Sequence, residues 1–247
     1  MNLEGVDWSA PWLAPWRERG QRVATRVQAG TALHDALNAE GGGPVRFVPQ
    51  TALPTGESYE RYIFNSKQCP IREDLHDFFN GICWLQFPRI KQRLNQLQAQ
   101  AIANQGVGAQ RGPLRDAVTV LDENAAFLMA PPDVAAQLWP ALLARDWHGL
   151  FLDLRPLWRQ VRPVLFGHAL LEKLVHPRKP VTAHVFLAPL AIMSMAELDA
   201  CIASQLDADT LIQKPFTPLP VLGVPGWWAD NENPDFYNDP SVFRVVP

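Results

Sequence analysis

The 247-residue sequence contains no run of about 18 apolar residues, so no stretch of it is predicted to cross a membrane as a helix. It also lacks a Cys-x-x-Cys pair. Its three cysteines, Cys69, Cys83 and Cys201, are odd in number and widely spaced, which excludes a disulfide framework and a closed structural zinc site. Reduced thiols in the cytoplasm fit that pattern. An excess of one charge sign is lacking too: a formal net charge of -3 provides no field to draw in nucleic acid or an anionic membrane surface. There is no Walker-type glycine loop. The N-terminus, Met1 to Arg19, reads as something other than a signal peptide, because Glu4, Asp7, Pro11, Pro15, Arg17 and Glu18 interrupt any apolar stretch.

What is present is a chain that is 47% hydrophobic and 19% charged, enough to bury a sizeable core. No segment resembles a free linker, and residues 1–247 are read as one globular unit. Trp8, Trp12 and Trp16, spaced by four, predict three rings on one side of a helix running to Gln28. Thr31 is placed to cap a short second helix, and Val45 to Val48 reads as a strand. Helices are expected over Glu57–Phe64, Glu73–Phe87 and Pro88–Asn104. In the last of these Arg89, Lys91, Arg93 and the glutamines are assigned to solvent. Gly106 to Pro113 reads as a loop. Ala117–Leu121 and Ala125–Leu128 read as a β-hairpin turning at Asp122-Glu123-Asn124. Helices at Asp133–Ala144, Leu165–Val175 and Ala196–Gln205 and a strand at Val181–Leu187 complete the body. From Lys214 onward, prolines deny regular structure while Trp227, Trp228, Phe236 and Tyr237 demand burial, so a loop-rich aromatic tail should wrap on the body. Without a regular βαβ repeat, the fold class is α+β, mixed helices with a small antiparallel sheet.

Two of these helices carry polar groups on otherwise apolar cylinders. His168 and Glu172 lie four apart on one, and His76 and Asn80 lie four apart on the other, with Asp77 beside them. Burying such groups costs several kcal/mol unless partners compensate them, so the two helices are expected to pack together and join their polar side chains. His76, Asp77, His168 and Glu172 are therefore the candidate catalytic set. His76, His168, Glu172, Asp122 and Glu123 could instead ligate a divalent metal, Zn, Mn or Fe, since imidazole nitrogen and carboxylate oxygen suit those ions. Arg72, Asn80, Arg115 and Trp227 are candidate substrate contacts, with Tyr59, Glu60 and Arg61 nearby. The basic residues Arg155, Arg159, Arg162, Lys173, Arg178 and Lys179 are read as a solvated face.

The strings His76-Asp77-Phe78-Phe79-Asn80, Arg115-Asp116, Asp122-Glu123-Asn124, Gly167-His168-Ala169-Leu170-Leu171-Glu172-Lys173 and Pro218 to Trp227 appear in order. Together they resemble a bacterial family catalogued as domain of unknown function 3025, from about Val48 to Arg244. Residues 1–47 lie outside those motifs. The resemblance implies a bacterial protein read as one unit over its family-like core, and it carries no assigned activity, cofactor or catalytic residue. The doublets His34-Asp35 and His76-Asp77 bear a fainter likeness to metal-dependent phosphohydrolases built on a helical bundle, a frame the predicted strands do not suit. Two functions follow as expectations. The first is a metal-dependent hydrolase or acid-base enzyme acting on a small polar or phosphorylated molecule. The second is a non-catalytic module that grips a protein or sugar with its aromatic tail.

Overall fold

The computed structural model describes residues 1–105, 112–186 and 190–244. The first departure from expectation is at the N-terminus. Pro11 and Pro15 interrupt the tryptophan repeat, so Pro11–Leu13 forms only a single 3-10 turn and helix α1 starts at Arg17, ending at Gln28. The three rings therefore do not share a helix face. Trp12 and Trp16 are buried, while Trp8 lies across α1 at Gly20, where a Cβ would sit 2.2 Å from the indole. Helix α2, Leu33–Asn38, is not capped by Thr31 either. Its cap position is Ala32, and the Leu33 amide donates instead to the Glu73 carboxylate at 3.0 Å.

Strand β1, Arg46–Pro49, pairs in parallel with β2, Gln68–Ile71, around helix α3, Tyr59–Ser66. Helix α4, Leu75–Gln86, begins at Asp74, whose side chain accepts from the Asp77 amide. It buries Phe78, Phe79, Ile82, Cys83 and Leu85, as its composition demands. Helix α5, Pro88–Gln105, has its first-turn amides capped from a distance: Arg89 and Ile90 N–H groups donate to Asp199 at 3.0 and 2.9 Å. On α5 the assignment of Lys91 to solvent is overturned. It is buried, as are Asn95 and Gln98.

Of the expected loop Gly106 to Pro113, residues 106–111 lie outside the described residues, and Pro113 opens a helix with Gly112 at its cap position. The expected hairpin is absent: Pro113–Asn124 is helix α6, and only Ala125–Met129 is a strand, β3. The β-branched run Val118-Thr119-Val120 suggested a strand, but Leu114, Ala117, Val118 and Leu121 repeat at helical spacing and Pro113 sits at the first helical position, and these signals win. Helix α7, Pro132–Ala144, strand β4, Arg162–Leu165, and helix α8, His168–Lys173, follow, so the expected helix from Leu165 to Val175 is shortened, giving up Leu165 to the strand and starting only at His168. Strand β5 is Thr182–Phe186; helices α9, Met195–Gln205, and α10, Ala208–Ile212, lead to strand β6, Phe216–Pro220.

The larger sheet runs β4-β3-β5-β6. It is mixed: β3 pairs antiparallel with β4 and parallel with β5, and β5 pairs antiparallel with β6. Its β6 corrects the reading of the tail as wholly irregular. Pro218 and Pro220 are tolerated because β6 is an edge strand, where a missing N–H disrupts no ladder on the outer side. Beyond it the tail does wrap inward, with Tyr237 stacked on Phe151 at 5.3 Å and buried Asn231 donating to the Leu222 and Val224 carbonyls. No helix among the described residues is long and apolar enough to cross a membrane.

Candidate functional site

One residue type decides where the polar groups meet. Gly167 precedes α8, and a Cβ there would lie 2.3 Å from the Glu123 carbonyl and 2.4 Å from the Asn124 amide. Only glycine lets the start of α8 press on the end of α6, and that contact puts His168, the first residue of α8, beside Asp122. Helix α4 packs against α8 and presents His76, Asn80 and Trp84, one per turn, to the same space.

The result is a cleft of about 420 Å³. Its walls come from α3 (Tyr59, Glu60), α4 (His76, Asp77, Asn80), α5 (Lys91, Asn95, Gln98), α6 (Arg115, Thr119, Asp122, Glu123) and His168, with Arg72 at the rim. At one end His76 Nδ1 lies 3.0 Å from Glu172 Oε2, and His76 Nε2 lies 3.1 Å from His168 Nε2. The expected packing of the two histidine helices is thus present. Glu172 itself is 39% exposed and outside the cleft wall, so it is not the buried carboxylate the sequence suggested.

These contacts constrain the protons. With the His76 proton on Nδ1, toward Glu172, its Nε2 offers only a lone pair and His168 donates from its own Nε2. His168 Nδ1 is buried and faces Asp122, whose Oδ2 lies 3.8 Å away. Burial pushes the His168 pKa down to about 4, so its ring is neutral near pH 7.

Below the pair lies a buried ion pair. Lys91 Nζ donates to Asp122 Oδ1 at 2.6 Å and to Asn80 Oδ1 at 2.8 Å, and sits 5.3 Å from the Trp84 ring centroid. Burial works against charge on Lys91, but Asp122 outweighs it and the ammonium is held above its ordinary pKa. Burial likewise opposes the Asp122 carboxylate, while Lys91 and then His168 bring its pKa below the usual value. Asn80 passes the network on, donating to Tyr59 Oη at 3.2 Å, which contacts Cys69 Sγ at 3.3 Å. Burial raises both of those groups, Cys69 to about 12, so neither is a nucleophile at neutral pH.

The remaining candidates divide. Asp77 accepts from the Arg72 backbone amide, Nε and Nη2 at 2.7, 2.9 and 2.9 Å, an arrangement that ties β2 to α4 and engages both carboxylate oxygens. Arg115 lines the cleft with its Nε buried and without a partner. Glu123 lines it at the histidine end. Arg61 pairs with Glu57 away from the cleft, and His34 faces its own neighbour Asp35 on α2. Trp227 lies against Trp12, half-buried and apart from the cleft wall, and Phe236 and Tyr237 are buried. Among the described residues no group of three or more His, Cys, Asp or Glu side chains is arranged to hold a metal ion. Lys91 was the residue sequence reasoning missed. A lone lysine on a helix rich in arginine and glutamine gives no local signal of burial.

No curated protein and no solved structure matches the chain. The model of the family described as Protein of unknown function (DUF3025) matches residues 45–246, a span that includes every residue of the cleft wall, and the chain belongs to that family.

Proposed function

We propose that the cleft binds a small polar molecule and exchanges a proton with it through the His76–His168 pair. The observation that carries this reading is the 3.1 Å contact between the two Nε2 atoms at the wall of an open cleft, backed by Glu172. A proton entering the pair at His76, the ring that reaches solvent, is balanced by loss of the His76 Nδ1 proton to Glu172, while His168, sealed at Nδ1, holds the His76 ring in place. The proton then leaves at a solvent-exposed carboxylate while no imidazole has to stay charged inside. Asp122 and Lys91 act as positioning residues, a fixed dipole beside the ring that does not titrate near neutral pH. General acid-base groups so placed contribute about 10²- to 10⁴-fold to a rate.

The test is a pooled set of small polar and phosphorylated metabolites incubated with the protein in D2O and followed by mass spectrometry. Consumption of a compound, or its uptake of solvent deuterium, is expected with the wild type and should fall at least about 100-fold in His76→Ala and His168→Phe. Equal turnover by wild type and both variants removes the reading. A second reading, a divalent ion shared by His76 and His168, rests on that same Nε2 spacing, which two ligands at about 2 Å from one ion would also give. It needs a third ligand. Metal analysis of protein purified without chelator decides it: a stoichiometric metal lost in His168→Ala supports the ion, and none supports the proton pair.

A further inference from the structure

We infer that Arg115 is the anion-binding end of the cleft, taking a carboxylate or phosphate group of the ligand about 10 Å from the histidine pair. The inference rests on the cleft being a ligand site, as proposed above, and adds the chemistry and length of what it holds. Three lysine or arginine side chains stand on the wall. Two are committed: Arg72 is forked on Asp77, and Lys91 is held by Asp122. Among the described residues, Arg115 forms no ion pair or side-chain hydrogen bond, and its Nε is buried with nothing to donate to. A buried guanidinium N–H without an acceptor costs about 1–3 kcal/mol or more, a penalty that an oxyanion arriving in the cleft removes.

The helix sets the spacing. Arg115, Thr119 and Asp122 lie on one face of α6, and seven residues at about 1.5 Å each place Arg115 about 10 Å along the axis from Asp122 and His168. Helix α5 runs antiparallel beside it, since Lys91 meets Asp122 at one end and Gln98 Nε2 reaches Thr119 Oγ1 at 3.2 Å toward the other. The cleft therefore runs along the seam between α5 and α6. Asp122 and Glu123 put carboxylates toward the histidine end, which disfavours an anion there, while the Glu60 carboxylate from α3 accepts from Asn95 Nδ2 at 2.7 Å.

Isothermal titration with inorganic phosphate, and separately with acetate, at constant ionic strength tests this and tells the two anions apart. One of them should bind the wild type with a millimolar or tighter Kd, Arg115→Gln should weaken it at least about tenfold, and Arg61→Gln, at the arginine paired with Glu57 outside the cleft wall, should leave it unchanged. In 15N-labelled wild type the Arg115 Nε resonance should move on saturation, a readout independent of whether Arg115→Gln folds. Binding of neither anion, equal affinity in a folded Arg115→Gln, or an unmoved Nε resonance overturns the proposal. Anion binding through Arg115 in a protein that turns over none of the pooled metabolites removes the acid-base reading and keeps this one.

Discussion

Lys91 and Asp122 show how a single interior contact sets what the neighbouring residues can do. An ion pair this deep stabilises little in net terms, because desolvation offsets most of the attraction, yet removing one partner strands the other. Lys91→Met is expected to destabilise the fold by about 3–5 kcal/mol in urea unfolding, and adding Asp122→Leu should recover part of that loss. A double variant as unstable as the single one contradicts the account. His168 gives a pH signature of opposite origin. Its folded pKa of about 4 lies below the histidine value of 6.5, so between those limits the unfolded chain binds a proton that the folded chain refuses. Stability therefore falls as pH drops from about 6.5 to about 4, by about 3 kcal/mol over the window, and His168→Phe should flatten that slope. Asp122, depressed in the folded state, contributes stability that is full above its ordinary value of 3.8 and is lost only at lower pH, so the two windows are separable.

At the scale of elements, the junction of α6 and α8 determines whether the cleft has a histidine end at all. Gly167→Ala would drive a Cβ into backbone atoms of Glu123 and Asn124, which cannot rotate away as a side chain could. Such overpacking costs typically 1–3 kcal/mol, and the start of α8 should shift away from α6 to relieve it, carrying His168 with it. The expected result is a lowered Tm together with loss of the His76–His168 coupling in imidazole 15N spectra; an unchanged coupling would show that the glycine is not what seats the pair. The contact between α4 and α8 was legible in the sequence, because His76, Asn80 and His168 ride on apolar helices and had to find partners. The cleft's other wall was not. Val118-Thr119-Val120 imitates a strand, and reading it so put Asp122 and Glu123 at a hairpin tip instead of on the inner face of α6. With Asp122 misplaced, nothing marked Lys91, 31 residues away, as its partner. The capping of α2 by Glu73 and of α5 by Asp199 was hidden for the same reason: each pairs a helix end with a side chain from a remote segment.

Across the whole molecule the polar cleft and the aromatic tail are built from different parts of the chain. Cleft-wall residues run from Gln50 to His168, whereas Phe243 packs against Phe151, Phe236 and Tyr237 and closes over the Val221–Gly223 turn. Among the described residues, nothing in the tail cluster shares a partner with His76. Substitutions at sites that are distant and share no partner add within about 0.5 kcal/mol. Phe243→Ala should cost about 3–5 kcal/mol through the cavity it leaves. His76→Ala should cost less, since that side chain is 33% exposed. The double variant should equal their sum, and Phe243→Ala alone should leave Kd for an Arg115-bound anion unchanged wherever the protein is still folded. A coupling above about 1 kcal/mol, or an anion affinity that falls with Phe243→Ala, would mean that the tail braces the cleft, and the division between a stabilising tail and a chemical cleft would have to be given up.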